Sequence, residues 1–123
     1  MAIYSPLFFP GDRYSSVTSA AVTAGQLLYI SGDNTVAPTT AATAAWIGVA
    51  EADAASGAAV SVYTEGIHVL GATGAITAGD LVIAATAGTV QTIGSATATT
   101  DSQIVGKALA AAASNLVVVA LSS

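Results

Sequence analysis

A chain of 123 residues is long enough for one hydrophobic core and leaves little for a second. Hydrophobic residues make up 54% and charged residues 7%, and the net charge is −5, with Arg13 and Lys107 the only basic side chains. That balance excludes nucleic-acid binding and anionic membrane surfaces, which both need clustered Lys and Arg. The absence of cysteine excludes disulfides, thiolate catalysis and zinc–thiolate sites.

So little charge leaves a surface built from Thr, Ser, Ala and Gly, which suits a protein covered by partners. The mean hydropathy of +0.74 raises the question of a membrane span. A spanning helix needs about 20 consecutive apolar residues, and the least charged stretches, 34–50 and 81–100, are broken by Thr, Gly, Pro or Gln. Met1-Ala2-Ile3-Tyr4-Ser5-Pro6 has no basic region ahead of an apolar one, so no secretory leader is expected there.

In chain order, the first element is an extended arm over residues 1–14. It holds Tyr4, Phe8, Phe9 and Tyr14, more than half of the chain's aromatic residues, together with Pro6 and Pro10. Two prolines forbid a regular helix, and aromatic side chains bury large area at low entropic cost in interfaces. The arm either grips a neighbouring subunit or shell, or folds back to cap its own barrel. Trp46, just before Ile47-Gly48, is a further anchor candidate for the core or an interface.

Residues 15–123 read as a single β domain. The predicted strands are Ser16–Val22, Gln26–Ser31, Ala45–Ala50, Ala59–Thr64, Gly66–Leu70, Leu81–Ala85, Val90–Ile93, Gln103–Leu109 and Leu116–Leu121. Val60-Ser61-Val62-Tyr63-Thr64 alternates as a half-buried strand does, whereas Leu116–Leu121 is continuously apolar and calls for cover on both faces. Turn residues at Ala24-Gly25, Gly32-Asp33-Asn34, Ser56-Gly57, Ala78-Gly79, Ala87-Gly88 and Ser114-Asn115 separate the runs. Ala108–Ala113 has helical propensity but is too short to stand alone, so one turn at most is expected. Many short strands at even spacing predict an all-β fold, a small barrel or sandwich.

A weak duplication runs through this pattern. Ala21–Leu28 matches Ala75–Val82 at a displacement of 54, and Ile47–Ala50 matches Val105–Ala108 at 58. In the second register Gly57 meets Asn115, and these two residue types best tolerate a left-handed backbone.

Chemistry is hard to find. His68 is the only histidine and stands in an apparent strand without a nucleophile motif, which reads as a surface or interface residue. Glu51-x-Asp53 could supply two ligands to a hard cation but has no acidic glycine loop around it, so a solvated turn is expected. Gly106-Lys107-Ala108 lacks the Ser or Thr of a phosphate-binding loop. No catalytic residue, metal or cofactor is expected.

The order Pro10-Gly11-Asp12, Ala24–Tyr29, Ile47–Ala50, Ala54–Val62, Glu65–Leu70, Ala78–Val82, Gly88-Thr89-Val90, Ile104–Ala112 and a Val-rich final strand resembles the small phage capsid decoration, or cement, protein family. His68 stands where that family has an aromatic residue, and the Tyr4–Phe9 arm is particular to this chain. The resemblance implies a β-barrel or sandwich that assembles, commonly as homotrimers, on the outer capsid surface of the virion. Its partners would be the major capsid protein and itself, and no catalysis is implied. The competing reading is a carbohydrate- or surface-binding β module of a phage tail or envelope, with Trp46 and Tyr63 as its aromatic platform.

Overall fold

The computed structural model describes residues 13–93 and 103–121, with the backbone alone for Arg13 and Tyr14. The described chain is all-β: β1 (Arg13–Thr18), β2 (Leu27–Gly32), β3 (Thr35–Pro38), β4 (Trp46–Ala50), β5 (Ala59–Tyr63), β6 (Ile67–Gly71), β7 (Leu81–Ala84), β8 (Val90–Thr92), β9 (Ile104–Ala108) and β10 (Leu116–Leu121). A 3-10 turn, Thr86–Gly88, joins β7 to β8. No helix among the described residues is long and apolar enough to cross a membrane.

The first five strands close into a barrel in the order β1-β3-β2-β4-β5, and the last five form a sheet in the order β6-β10-β9-β7-β8. These are the same topology twice. Replacing each strand of the first set by the strand five places later reproduces the antiparallel ladders β1–β5, β5–β4, β4–β2 and β2–β3 as β6–β10, β10–β9, β9–β7 and β7–β8. The parallel contact that closes the barrel recurs in the second sheet as an isolated bridge. Thr18 pairs with Val36 in the barrel, and Ala72 makes a parallel bridge to Val90, each residue 54 positions on. The closing hydrogen bonds agree: the Ser19 amide donates to the Val36 carbonyl at 2.9 Å and that of Thr73 to the Val90 carbonyl at 2.8 Å.

Side-chain detail repeats as well. The Gln26 side chain accepts from the Thr23 amide at 2.7 Å, and Asp80, its counterpart, accepts from the Thr77 amide at 2.9 Å. A register shift falls between Leu28 and Tyr29 opposite β4, and another between Val82 and Ile83 opposite β9. The duplication seen in the sequence is therefore a duplication of the fold unit. The extra residues of the second copy fall between β8 and β9.

Alternation decides what each strand buries. In β5, Val60 and Val62 point inward, where they join Val22, Leu28, Val36 and Ala50 in the barrel core. Leu70, Val82, Val105, Val117 and Val119 fill the second core, and Leu27 and Val49, on the outer face of the barrel, are part of it. Polar contacts accompany this packing. The buried Thr39 hydroxyl donates to the Ala85 carbonyl at 2.8 Å, the Gly88 amide donates to the Thr39 carbonyl at 3.0 Å, and Gln26 Nε2 donates to the Ala87 carbonyl at 3.1 Å. Thr39→Val keeps the shape but leaves the buried Ala85 carbonyl without this donor. It is expected to cost about 1–2 kcal/mol in denaturant unfolding.

Three expectations need correction. The first strand begins at Arg13, not Ser16, because residues 13–17 pair with β5, so Arg13 and Tyr14 belong to the barrel and not to an arm. It ends at Thr18, and Val22 instead makes an isolated bridge to Ala54. β3 is not among the predicted strands; it ends at Pro38, opposite Leu28 of β2. The continuously apolar β10 is fully covered on one face only: Val117 and Val119 are buried, whereas on the other face Val118 and Ala120 are half-buried and Leu116 is 51% exposed. The alanine run before β10 forms no helix. It leads into a two-residue hairpin loop, Ser114-Asn115, with φ of 52° and 62° and reciprocal hydrogen bonds between Ala113 and Leu116 at 2.9 Å, the pattern of a type I′ turn.

Candidate assembly surface

The less covered face of β10, with Val118 and Ala120 half-buried, continues onto β6. Val118 stands directly opposite Val69, Ala120 opposite Ile67 and Leu116 opposite Gly71. Ile67 is 65% exposed and Val69 56%, although both sit in well-formed strand pairing. Lys107 of β9 borders the face across from Ala120, and Leu81 of β7 lies across from Lys107.

The duplicated barrel supplies an internal comparison. The positions equivalent to Val69 and Val118 are Ser15 and Ser61, which also stand opposite each other, and the counterpart of Leu116 is Ala59. One fold unit thus presents serines and the other valines at the same places. On the inner face Val60 and Val62 correspond to Val117 and Val119, and all four are buried, while buried Ser16 corresponds to buried Leu70. An apolar outer face is therefore not a requirement of the fold unit. Burial of apolar surface is favourable by roughly 25 cal/mol per Å², so this face gains free energy from a partner.

Of the residues picked out from sequence, Tyr4, Phe8 and Phe9 lie outside the described residues. Tyr14 is placed in β1 opposite Val62 by its backbone. Trp46 opens β4 opposite Tyr29, is half-buried, and packs against the second core. Tyr63 is engaged elsewhere, its ring centroid 5.4 Å from that of His68. Trp46 opens β4 and Tyr63 closes the antiparallel β5, where it stands opposite Val49. His68 is half-buried, and its Nε2 donates to the Glu65 carbonyl at 2.9 Å. Asp53 accepts from the Ala24 amide at 2.8 Å, a turn-holding role that uses one carboxylate oxygen. Among the described residues no three His, Cys, Asp or Glu side chains gather as a metal site would require.

Ile67, Val69, Leu116 and Val118 escaped the sequence reading. The signal was there: the two halves, once aligned strand by strand, differ by Ser to Val at two facing outward positions.

Taken together, a duplicated β unit with packed interiors and an apolar outer face has the form of a structural assembly module. Residues 10–122 match the family model described as phage cement protein, and the chain belongs to that family. It is a structural protein of the phage virion. The sequence matches no curated protein. Among solved structures, the chain is similar to the head fiber gp8.5 N base of bacteriophage phi29, at 24% identity with a TM-score of 0.66, covering 90% of this chain and 93% of that one. That likeness concerns the fold.

Proposed function

We propose that this protein decorates the outer surface of a tailed-phage capsid, where it binds the major capsid protein lattice as a homotrimer and stabilises the shell. The observation that carries the reading is the match of residues 10–122 to the cement protein family, in a chain with only 7% charged residues. A protein that binds the expanded lattice and not its precursors or fragments shifts the equilibrium toward the intact shell by mass action. Many copies on a symmetric lattice add avidity without strong individual contacts. Contacts that use few charges also persist at high salt, where exposed ion pairs are screened.

Tyr4, Phe8, Phe9 and Tyr14, with Trp46, are proposed to contribute to the grip on shell or neighbour. Co-sedimentation of the full chain with expanded empty capsids tests this. The expected result is saturable binding at lattice-like stoichiometry that persists from about 0.1 M to 1 M salt. Deletion of Met1–Pro10 is expected to abolish that binding while the far-ultraviolet β signal is retained. A full chain that stays in the supernatant removes the shell-binding reading, and a truncated chain that still saturates capsids removes the N-terminal residues from it.

A further inference from the structure

An open apolar sheet face has to be explained by what covers it, and this molecule contains its own precedent. The barrel also carries apolar residues on an outer face, at Leu27 and Val49, which stand opposite each other on β2 and β4. Both are buried, and what buries them is the second five-stranded unit of the same chain, whose core they join. Their counterparts in that second unit are Leu81, 39% exposed, and Lys107, also exposed, which border the open face. Where this fold unit is apolar on its outside and covered, its cover is another unit of the same fold.

We infer that the outer face of β6 and β10 is a contact through which a second copy of this chain packs. The inference deepens the proposed function by naming a surface for the self-association that reading includes. Charge favours the same occupant. Copies of a chain with net charge −5 repel one another, and they approach most readily through a face without carboxylates. Ile67, Val69 and Leu116, exposed, and Val118 and Ala120, half-buried between them, provide such a face, with one of the chain's two basic residues, Lys107, at its border. Substitution of Val69 and Val118 by the serines that the barrel carries at these positions is compatible with the fold unit, because Ser15 and Ser61 already occupy them there.

The test is the mass of the full chain in solution, without capsids, by sedimentation velocity over a range of concentrations. The native chain is expected at a multiple of 11.8 kDa and the Val69→Ser/Val118→Ser variant at 11.8 kDa, with an unchanged β signal by circular dichroism. Leu116→Ala, which introduces the barrel's Ala59 residue type, is expected to shift dissociation to higher concentration. The mirror substitution Ser15→Ala/Ser61→Ala is expected to leave the mass unaltered. A native chain that remains at 11.8 kDa throughout, a double variant that keeps the native mass, or a mirror variant that dissociates equally would each overturn the assignment. Because no capsid is present, a chain that self-associates yet ignores capsids removes the shell-binding reading and leaves this contact standing. A monomer that binds capsids does the reverse.

Discussion

Gly106→Val is expected to lower the melting temperature by roughly 10 °C or more, through a loss of about 3 kcal/mol. A Cβ at this position would overlap the Ala120 carbonyl oxygen, and would lie 2.9 Å from the Ala120 carbonyl carbon and 3.1 Å from Leu121 Cα. All three are backbone atoms of β10, which is held between β6 and β9 and cannot recede without opening a ladder. The equivalent Gly48 faces the Tyr63 carbonyl oxygen in the same overlap, so Gly48→Val carries a similar penalty in the barrel. Gly57→Asn serves as the contrast. Gly57 has φ +82° and open space around its Cβ position, and Asn115 holds the matching turn with φ 62°. That change is expected to stay within about 0.5 kcal/mol. Thermal denaturation followed by circular dichroism compares the three. A Gly106→Val protein that melts within about 2 °C of the native chain contradicts the close strand approach described above.

Leu27→Ala and Leu81→Ala make the second large contrast, because the two leucines occupy equivalent positions in the duplicated unit. Leu27 is fully buried in the second core although it belongs to the barrel, whereas Leu81 is 39% exposed. Truncation of Leu27 removes its transfer free energy and leaves a cavity where the two units meet, an expected loss of about 3 kcal/mol. Truncation of Leu81 is expected to cost less than about 1 kcal/mol in the isolated monomer. Equal losses in urea unfolding would mean that the two units do not pack through Leu27.

Much of this was legible beforehand, for reasons that can be stated residue by residue. Strands such as Ala59–Tyr63 announce themselves because one face is buried and the other is not, so alternation is imposed on the sequence. The displacement of Ala21–Leu28 onto Ala75–Val82 was visible because turn geometry constrains Gly25 and Gly79 alike, with φ of 87° and 90°. β3 was illegible because four residues ending in proline carry no periodic signal; its strand character comes from pairing with both β1 and β2. The start of β1 at Arg13 was hidden for the same reason, since its partner β5 lies more than forty residues away in sequence. Thr39, which bonds Ala85 in the second unit, looks like any loop threonine until the two units are seen together.

The candidate surface was half legible. Attention fell on aromatic residues, whereas the exposed face is aliphatic and lies within regular strands. The unbroken apolar run of Leu116–Leu121 calls for cover on both faces but does not say what supplies it. Strand periodicity cannot separate a face buried within one chain from a face that a partner would bury, because the same residue types serve both.

The closed order β1-β3-β2-β4-β5 also bears on how such a chain avoids runaway strand addition. Rich in β-branched residues and nearly devoid of gatekeeping lysines, it has few of the usual defences against cross-β stacking. Ring closure withdraws the terminal strands of the first unit from outside ladders, and the Ala72–Val90 bridge ties β6 to β8 in the second. Contact between copies is thereby steered toward side-chain faces and away from backbone edges, which favours assemblies of limited size over fibrils.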